Sequence, residues 1–256
     1  MTDHPVAGEQ PGPPSSLAGP LIMLVWLALG VALARLPQLT GVLTFAFVAV
    51  GWVLAVAIHE FGHAAIAYLA GDTTVRDKGY LTLDPRRYTD LGVTLVVPLL
   101  ALALGGIGFP GGAVYLREDL MRSRAWRAAA SLAGPLGTLV VLIVLGRGMG
   151  IAAGQGPGLF NALAFLAFLQ STALVLNLLP VPGLDGYGAL RPFLPQAVAR
   201  ALRPAEEIAA LAFLALLFFV PGVSAILFGV ALLITNAVGV PADAIQAGWD
   251  AFRFWA

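Results

Sequence analysis

His59-Glu60-Phe61-Gly62-His63 is written into an otherwise apolar run, with VLTFAFVAVGWVLAVAI before it at 42–58 and AAIAYLA after it at 64–70. A helix over 42–70 would be about 43 Å long, enough to cross a hydrocarbon core of about 30 Å with some tilt. The three ionisable side chains then lie inside the membrane, His63 about 10 Å from the nearer polar surface. Ionisable groups at that depth are costly and mark function.

The spacing supplies a chemistry. His59 and His63 are four apart, so both imidazoles project from one helical face and can grip a single zinc ion. Glu60 can reach a zinc-bound water and take its proton as general base. A His-Glu-x-x-His match alone occurs by chance often enough to prove little. Here, though, the chain has only 3 histidines, and two of them stand in this motif. The bland reading, two core histidines satisfied by hydrogen bonds, leaves the cost of intramembrane polar groups without a return.

Composition sets the frame. With 59% hydrophobic and 11% charged residues, and several long apolar segments, the chain reads as an all-α polytopic membrane protein. Net charge is +0 and the basic residues are scattered, so no nucleic acid is expected as partner. The absence of cysteine excludes disulfides, thiolate zinc sites and cysteine nucleophiles together. The preference for Arg over Lys fits a GC-rich bacterial genome, and with it a bacterial cell membrane.

Residues 1–20 carry five prolines and read as a disordered tail, with no basic region of a cleavable signal peptide before the first apolar run. The membrane domain is expected over 21–240, with its catalytic core at about 41–195, and a short C-terminal tail at 241–256. Short strands are predicted at 80–83 and 113–116, near the active site. Between them, 91–104 is apolar but short, holds Pro98 and runs into a Gly-rich turn at 105–112. Ser131-Leu132-Ala133-Gly134-Pro135 supplies small residues for close helix contact. Apolar runs at about 205–220 and 223–240, split by Pro221-Gly222, read as a hairpin.

A catalytic zinc takes three protein ligands and keeps one open position. Asp185 is the choice for the third, because Pro180 and Pro182 unwind the preceding helix and free the backbone to bring a carboxylate inward. The competing reading is an ordinary turn residue outside the membrane.

HEFGHA at 59–64, LAGP at 132–135 and NLLPVPGLDG at 177–186, in this order, resemble the site-2 protease family of intramembrane zinc metalloproteases, in a compact form without PDZ or CBS domains. The resemblance covers roughly 41–195. It implies one Zn2+ per chain held by His59, His63 and Asp185, Glu60 as base, and Asn177 in contact with substrate backbone or oxyanion. From spacing alone, Asn177 could as well be an amide joining two helices. YLTLDPRRYTDLG resembles a stretch that in compact members reads with Asn-Pro and a later His. Here Asp84-Pro85 and Tyr88 stand at those positions, and GFPGGAVYL replaces a Lys-Pro-Val-Pro-type run; these departures bear on substrate preference rather than on the metal.

Charge tests the topology independently. If all seven apolar segments crossed, the His63 and Asp185 ends would face opposite sides and could not share one ion. If 91–107 instead re-enters or lies half-buried, both ends share a side. Arg35 and Arg147 then lie outside and the other basic residues inside, as the positive-inside rule asks. The expectation is six crossings, with both termini and the active site toward the cytoplasm.

The expected function is hydrolysis of peptide bonds in or next to transmembrane segments of membrane proteins. The partners are a transmembrane substrate, the lipid bilayer and a regulatory membrane protein. A helical substrate must be drawn out as a strand, and the pieces at 80–83 and 113–116 could offer an edge for it. One rival is a metal transporter, which would need polar groups at several depths, whereas here they gather at one. The other is an inactive protease-like scaffold, against which the intact His59, Glu60, His63 and Asp185 argue.

Overall fold

The computed structural model describes residues 16–88, 114–220 and 222–256. Residues 1–15 of the expected tail, the segment with Pro98 expected to re-enter or lie half-buried, and the Gly-rich run lie outside the described residues.

Ten α-helices are described: α1 (Ala18–Arg35), α2 (Thr40–Ala70), α3 (Thr74–Asp77), α4 (Arg124–Ala152), α5 (Pro157–Leu178), α6 (Asp185–Leu190), α7 (Gln196–Leu202), α8 (Glu206–Phe219), α9 (Val223–Ala237) and α10 (Ala242–Phe252). Local chemistry sets their limits. Pro37 separates α1 from α2. Gly71, at φ +122°, ends α2: its N–H donates to the Tyr68 carbonyl and the Asp72 N–H to that of Ala67, the paired bonds of a glycine helix stop. Ser123 caps α4 by accepting from the Trp126 N–H.

Helix α5 is central, packing against α4, α10, α9 and α2, while α1 lies outside α2. The exposed Leu21, Leu24, Leu27 and Val31 on α1, and Leu136, Val140 and Val144 on α4, suit a lipid surround. Among the described residues, four segments are long and apolar enough to cross a membrane: 18–35, 37–70, 124–152 and 157–178; α9 with α10, bent by 118°, would be a fifth. The fold is thus an all-α membrane protein.

Four expectations are not confirmed among the described residues, the last of them a shared side for both termini. The sixth crossing, over about 205–220, is α8, a helix of only 14 residues. It starts beside Tyr187, whose hydroxyl donates to Glu206, and its Leu217 clusters with Leu176 and Leu227. It therefore runs along one end of the bundle. Secondly, 80–83 forms turns and bends, and 114–116 is irregular, so neither is a strand among the described residues. Thirdly, the expected tail is a packed helix. Phe252 is fully buried, and Gly248 lies so near the Asn161 carbonyl and Phe165 that a Cβ would collide with both.

That packing also separates the two ends of the chain. Phe254 lies against Gly41, at the start of α2, whereas Ser16 bonds Asp84 and Gly19 abuts Leu83 near the α2 end that carries the histidines. The C-terminus and residue 16 lie at opposite ends of the bundle, so Arg253 joins Arg35 and Arg147 at the end far from the histidines. By contrast, α2 ends and α4 begins at the same end: the Arg122 N–H donates to the Ala70 carbonyl. Whatever path 89–113 takes, the chain returns to the side it left.

Candidate metal centre

Helix α2 presents His59 and His63 side by side, with Nε2 atoms 3.1 Å apart. Asp185, the first residue of α6, meets both: Oδ2 is 3.1 Å from His59 Nε2 and Oδ1 3.3 Å from His63 Nε2. One donor atom from each residue lies within 4.8 Å of the others, a set that could hold a metal ion.

The proline-broken end of α5 makes this meeting possible. After Leu179 turns extended, Gly183 takes φ +92° and the chain folds back beneath the helix it has left. Gly186 passes so close that a Cβ there would lie 2.6 Å from the Leu179 carbonyl oxygen. Gly188, two residues on, packs against Ser131 of α4.

Outside the three donors lies a supporting ring. His59 Nδ1 is 2.9 Å from Thr138 Oγ1, and His63 Nδ1 is 2.8 Å from the Ala130 carbonyl oxygen. A carbonyl only accepts, so Nδ1 of His63 carries the proton and its Nε2 keeps a lone pair. The same tautomer at His59 donates to Thr138. Both rings are thereby turned with their ligating nitrogens toward Asp185, the support that metal-bound histidines receive.

Gly134 completes the fit. A Cβ on it would fall 2.6 Å from His59 Nε2 and nearer still to His63 Nε2, in the space where the donors converge. Gly62 of α2 in turn faces the Ala133 carbonyl oxygen, 2.5 Å from where its Cβ would be. The helices touch backbone to backbone, and the missing side chain leaves room for an ion. The donor chemistry, two imidazoles and a carboxylate, suits zinc with one position left open.

Glu60 follows His59 on α2 and is 3% exposed. It accepts from the Val114 backbone N–H, and its Oε2 has no protein partner. The segment carrying Val114 is pinned further along, where the Arg117 N–H donates to Asp72 and Lys78 Nζ to the Tyr115 carbonyl. Tyr88 packs against the same stretch of α2, its hydroxyl 3.1 Å from the Ala57 carbonyl oxygen. Asp84 accepts both guanidinium bonds of Arg86 and one from Ser16, which hold its carboxyl well below the usual carboxylate range.

The structure brings His59, His63 and Asp185 together with Glu60 beside them. Asn177 is buried on α5 and shares a small cavity with His59, Thr138, Gln170 and Trp52, but it has no hydrogen bond to any of the three donors. Thr138, the Ala130 carbonyl and the metal-facing role of Gly134 escaped the sequence reading. Their four-residue spacing was the available signal: 130, 134 and 138 share a face of α4 just as 59 and 63 share a face of α2.

Known proteins agree with this chemistry. The chain is 42% identical over 244 residues to Rip2 of Mycolicibacterium smegmatis, a zinc metalloprotease by name, with 92% of each chain covered. To Rip2 of Mycobacterium tuberculosis it is 46% identical, over 82% of this chain and 81% of that one. To YwhC of Bacillus subtilis, also named a zinc metalloprotease, it is 29% identical over 64% of this chain and 76% of that one. No protein-family model and no solved structure matches.

Proposed function

The chain belongs to the site-2 protease family of zinc metalloproteases, and from that premise we propose that it hydrolyses peptide bonds within or beside transmembrane segments of membrane proteins. His59, His63 and Asp185 hold the zinc, and Glu60 is the general base. The observation that carries this reading is the convergence of three donors within 4.8 Å, on imidazoles whose other nitrogens are already engaged.

Zinc in that position supplies a Lewis acid that polarises a carbonyl and acidifies a water. The protein does the rest. Glu60 takes a proton from the attacking water and passes it to the departing amide nitrogen. Val114 engages its carboxylate from one side while Oε2 stays unpaired and available. Asn177, buried on α5 close to His59, donates its amide N–H to the oxyanion. The substrate arrives unwound, since a helix hides its peptide bonds, and it lies against the irregular segment 114–117. The metal end of the bundle faces the cytoplasm of a bacterial cell, because most basic residues gather there. A regulatory membrane partner is in keeping with a core that has no appended soluble domain among the described residues.

The test is zinc content and cleavage by the full chain in detergent. About one zinc per chain is expected, retained in Glu60→Gln and lost in Asp185→Ala. A transmembrane reporter should be cut by wild type and at least about 100-fold more slowly by Glu60→Gln. Zinc indifferent to Asp185 would break the ligand assignment. Cellular function preserved by Glu60→Gln would favour the inactive scaffold.

A further inference from the structure

Behind His59, away from Asp185, α2, α4 and α5 enclose a cavity of about 20 Å³ lined by Trp52, Ala55, Val56, His59, Thr138, Gln170, Ala173 and Asn177. That volume admits one water molecule and little else. Two of its walls carry buried donors without a protein partner, Nε1 of Trp52 and Nε2 of Gln170, on side chains each 2% exposed. Two others can supply acceptors: Thr138 Oγ1, which has a second lone pair beyond the one facing His59, and the side-chain amide of Asn177, which lines the cavity.

We infer that this cavity is a binding site for one ordered water that accepts from Trp52 and Gln170 and donates to Thr138 and Asn177, making Trp52 and Gln170 positioning residues for the metal centre. The valences close. A water accepts two hydrogen bonds and donates two, and the cavity presents two donors and two acceptors. An orphaned indole or amide N–H in so apolar a place costs the full desolvation of the group, so two around one water-sized space point to a shared partner.

The consequence reaches the reaction through two neighbours. At Thr138, a hydrogen from the water fixes the hydroxyl so that its remaining lone pair faces His59 Nδ1–H. At Asn177, occupation of the amide oxygen fixes the flip of the side chain. The NH2 group then turns out of the cavity, the orientation an oxyanion donor needs. Only this second step rests on the role proposed for Asn177.

Ultraviolet resonance Raman spectra of the zinc-loaded full chain, with the Trp52→Phe spectrum subtracted, isolate the Trp52 indole band, which reports whether its N–H is hydrogen-bonded. The band is expected at the bonded position in wild type and at the free position in Ala173→Val, whose extra methyls displace the water. Ala55→Val does the same from the opposite wall should Ala173→Val not accumulate. A free indole in wild type, or a bonded one that ignores both fillings, overturns the inference. On a transmembrane reporter, Ala173→Val and Trp52→Phe should each lower kcat roughly tenfold, the scale of outer-shell support, with little change in KM. In an Asn177→Ala background each should lower it by less than in wild type, since only the route through Thr138 remains. Losses there as large as in wild type would sever the water from Asn177. If wild type cut no peptide bond, the proposed function would fail, and the Raman measurement would still decide the water.

Discussion

The two halves of the bundle are filled by different means. At the end far from the histidines, Phe45, Phe165, Trp249, Phe252 and Trp255 stack and tilt against one another, and the space is taken up by side-chain volume. At the metal end the packed residues of α2 are Ala57, Ala64, Ala67 and Ala70, and Gly62 and Gly134 let α2 and α4 meet backbone to backbone. In lipid, where apolar burial gives little drive, both are ways of gaining contact. Only the second leaves donor atoms close enough to share an ion. One half can tolerate size changes at a cost in stability, whereas the other loses chemistry.

The sharpest break of that contrast is one methyl group. Gly134→Ala should reduce zinc from about one per chain to background, since the added carbon occupies the converging point of the donors. Gly148→Ala, on the same helix with nothing within 4 Å, should leave zinc unchanged. Metal analysis of both proteins decides it, and a zinc-replete Gly134→Ala would refute the geometry. Next is Phe252→Ala at the far end. It should cost about 3 kcal/mol in unfolding free energy while zinc stoichiometry stays the same; metal loss there would couple the halves that the contrast separates. Thr138→Val keeps the volume and removes the acceptor for His59. Chelator competition should show zinc affinity falling roughly 10–100-fold, with the apo form slightly less thermostable because the buried His59 N–H loses its acceptor.

The smallest effect concerns Asp84, outside the spans. Its carboxyl titrates below the ordinary range because Arg86 bonds it, so folded protein binds that proton less readily than unfolded protein does. The stability it contributes is complete above its unfolded pKa of about 4 and drains away as pH falls through the lower folded value. Asp84→Asn should flatten the unfolding midpoint over that acid range and be slightly less stable at neutrality. An unaltered acid limb would show that the Arg86 pair does not anchor the loop.

Much of the metal end was legible because its residues are costly where they stand. Two histidines and a glutamate in a lipid-length apolar helix, and an aspartate after two prolines, announce themselves by chemistry that membranes do not otherwise permit. Gly134 was readable as a small residue for helix contact, but not as the residue facing the donors, since sequence gives spacing along a helix and not the rotation of one helix against another. The far end was less legible for a related reason. Trp249, Phe252 and Trp255 look the same whether they rest at a membrane surface or fill a core, and only Gly248 hinted at close approach. Run length alone does not count crossings: the apolar stretch over 205–220 has the composition of one, and α8, of 14 residues, is tied at its start where Tyr187 and Arg191 meet Glu206.

Asp185, the third residue of the candidate metal site, stands on a helix of six residues, separated from the histidines by the two long apolar helices α4 and α5. During synthesis α2 can be inserted, with His59 and His63 already paired, long before Asp185 has been made. A nascent chain therefore carries two-thirds of a metal site and none of its reactivity. On the proposed ligand set, the site would be complete only once α5 is in place and its broken end folds back, and the hydrolase would stay silent while it is being built. A chain stopped after Leu178 should accordingly insert, yet bind zinc weakly and exchange it freely.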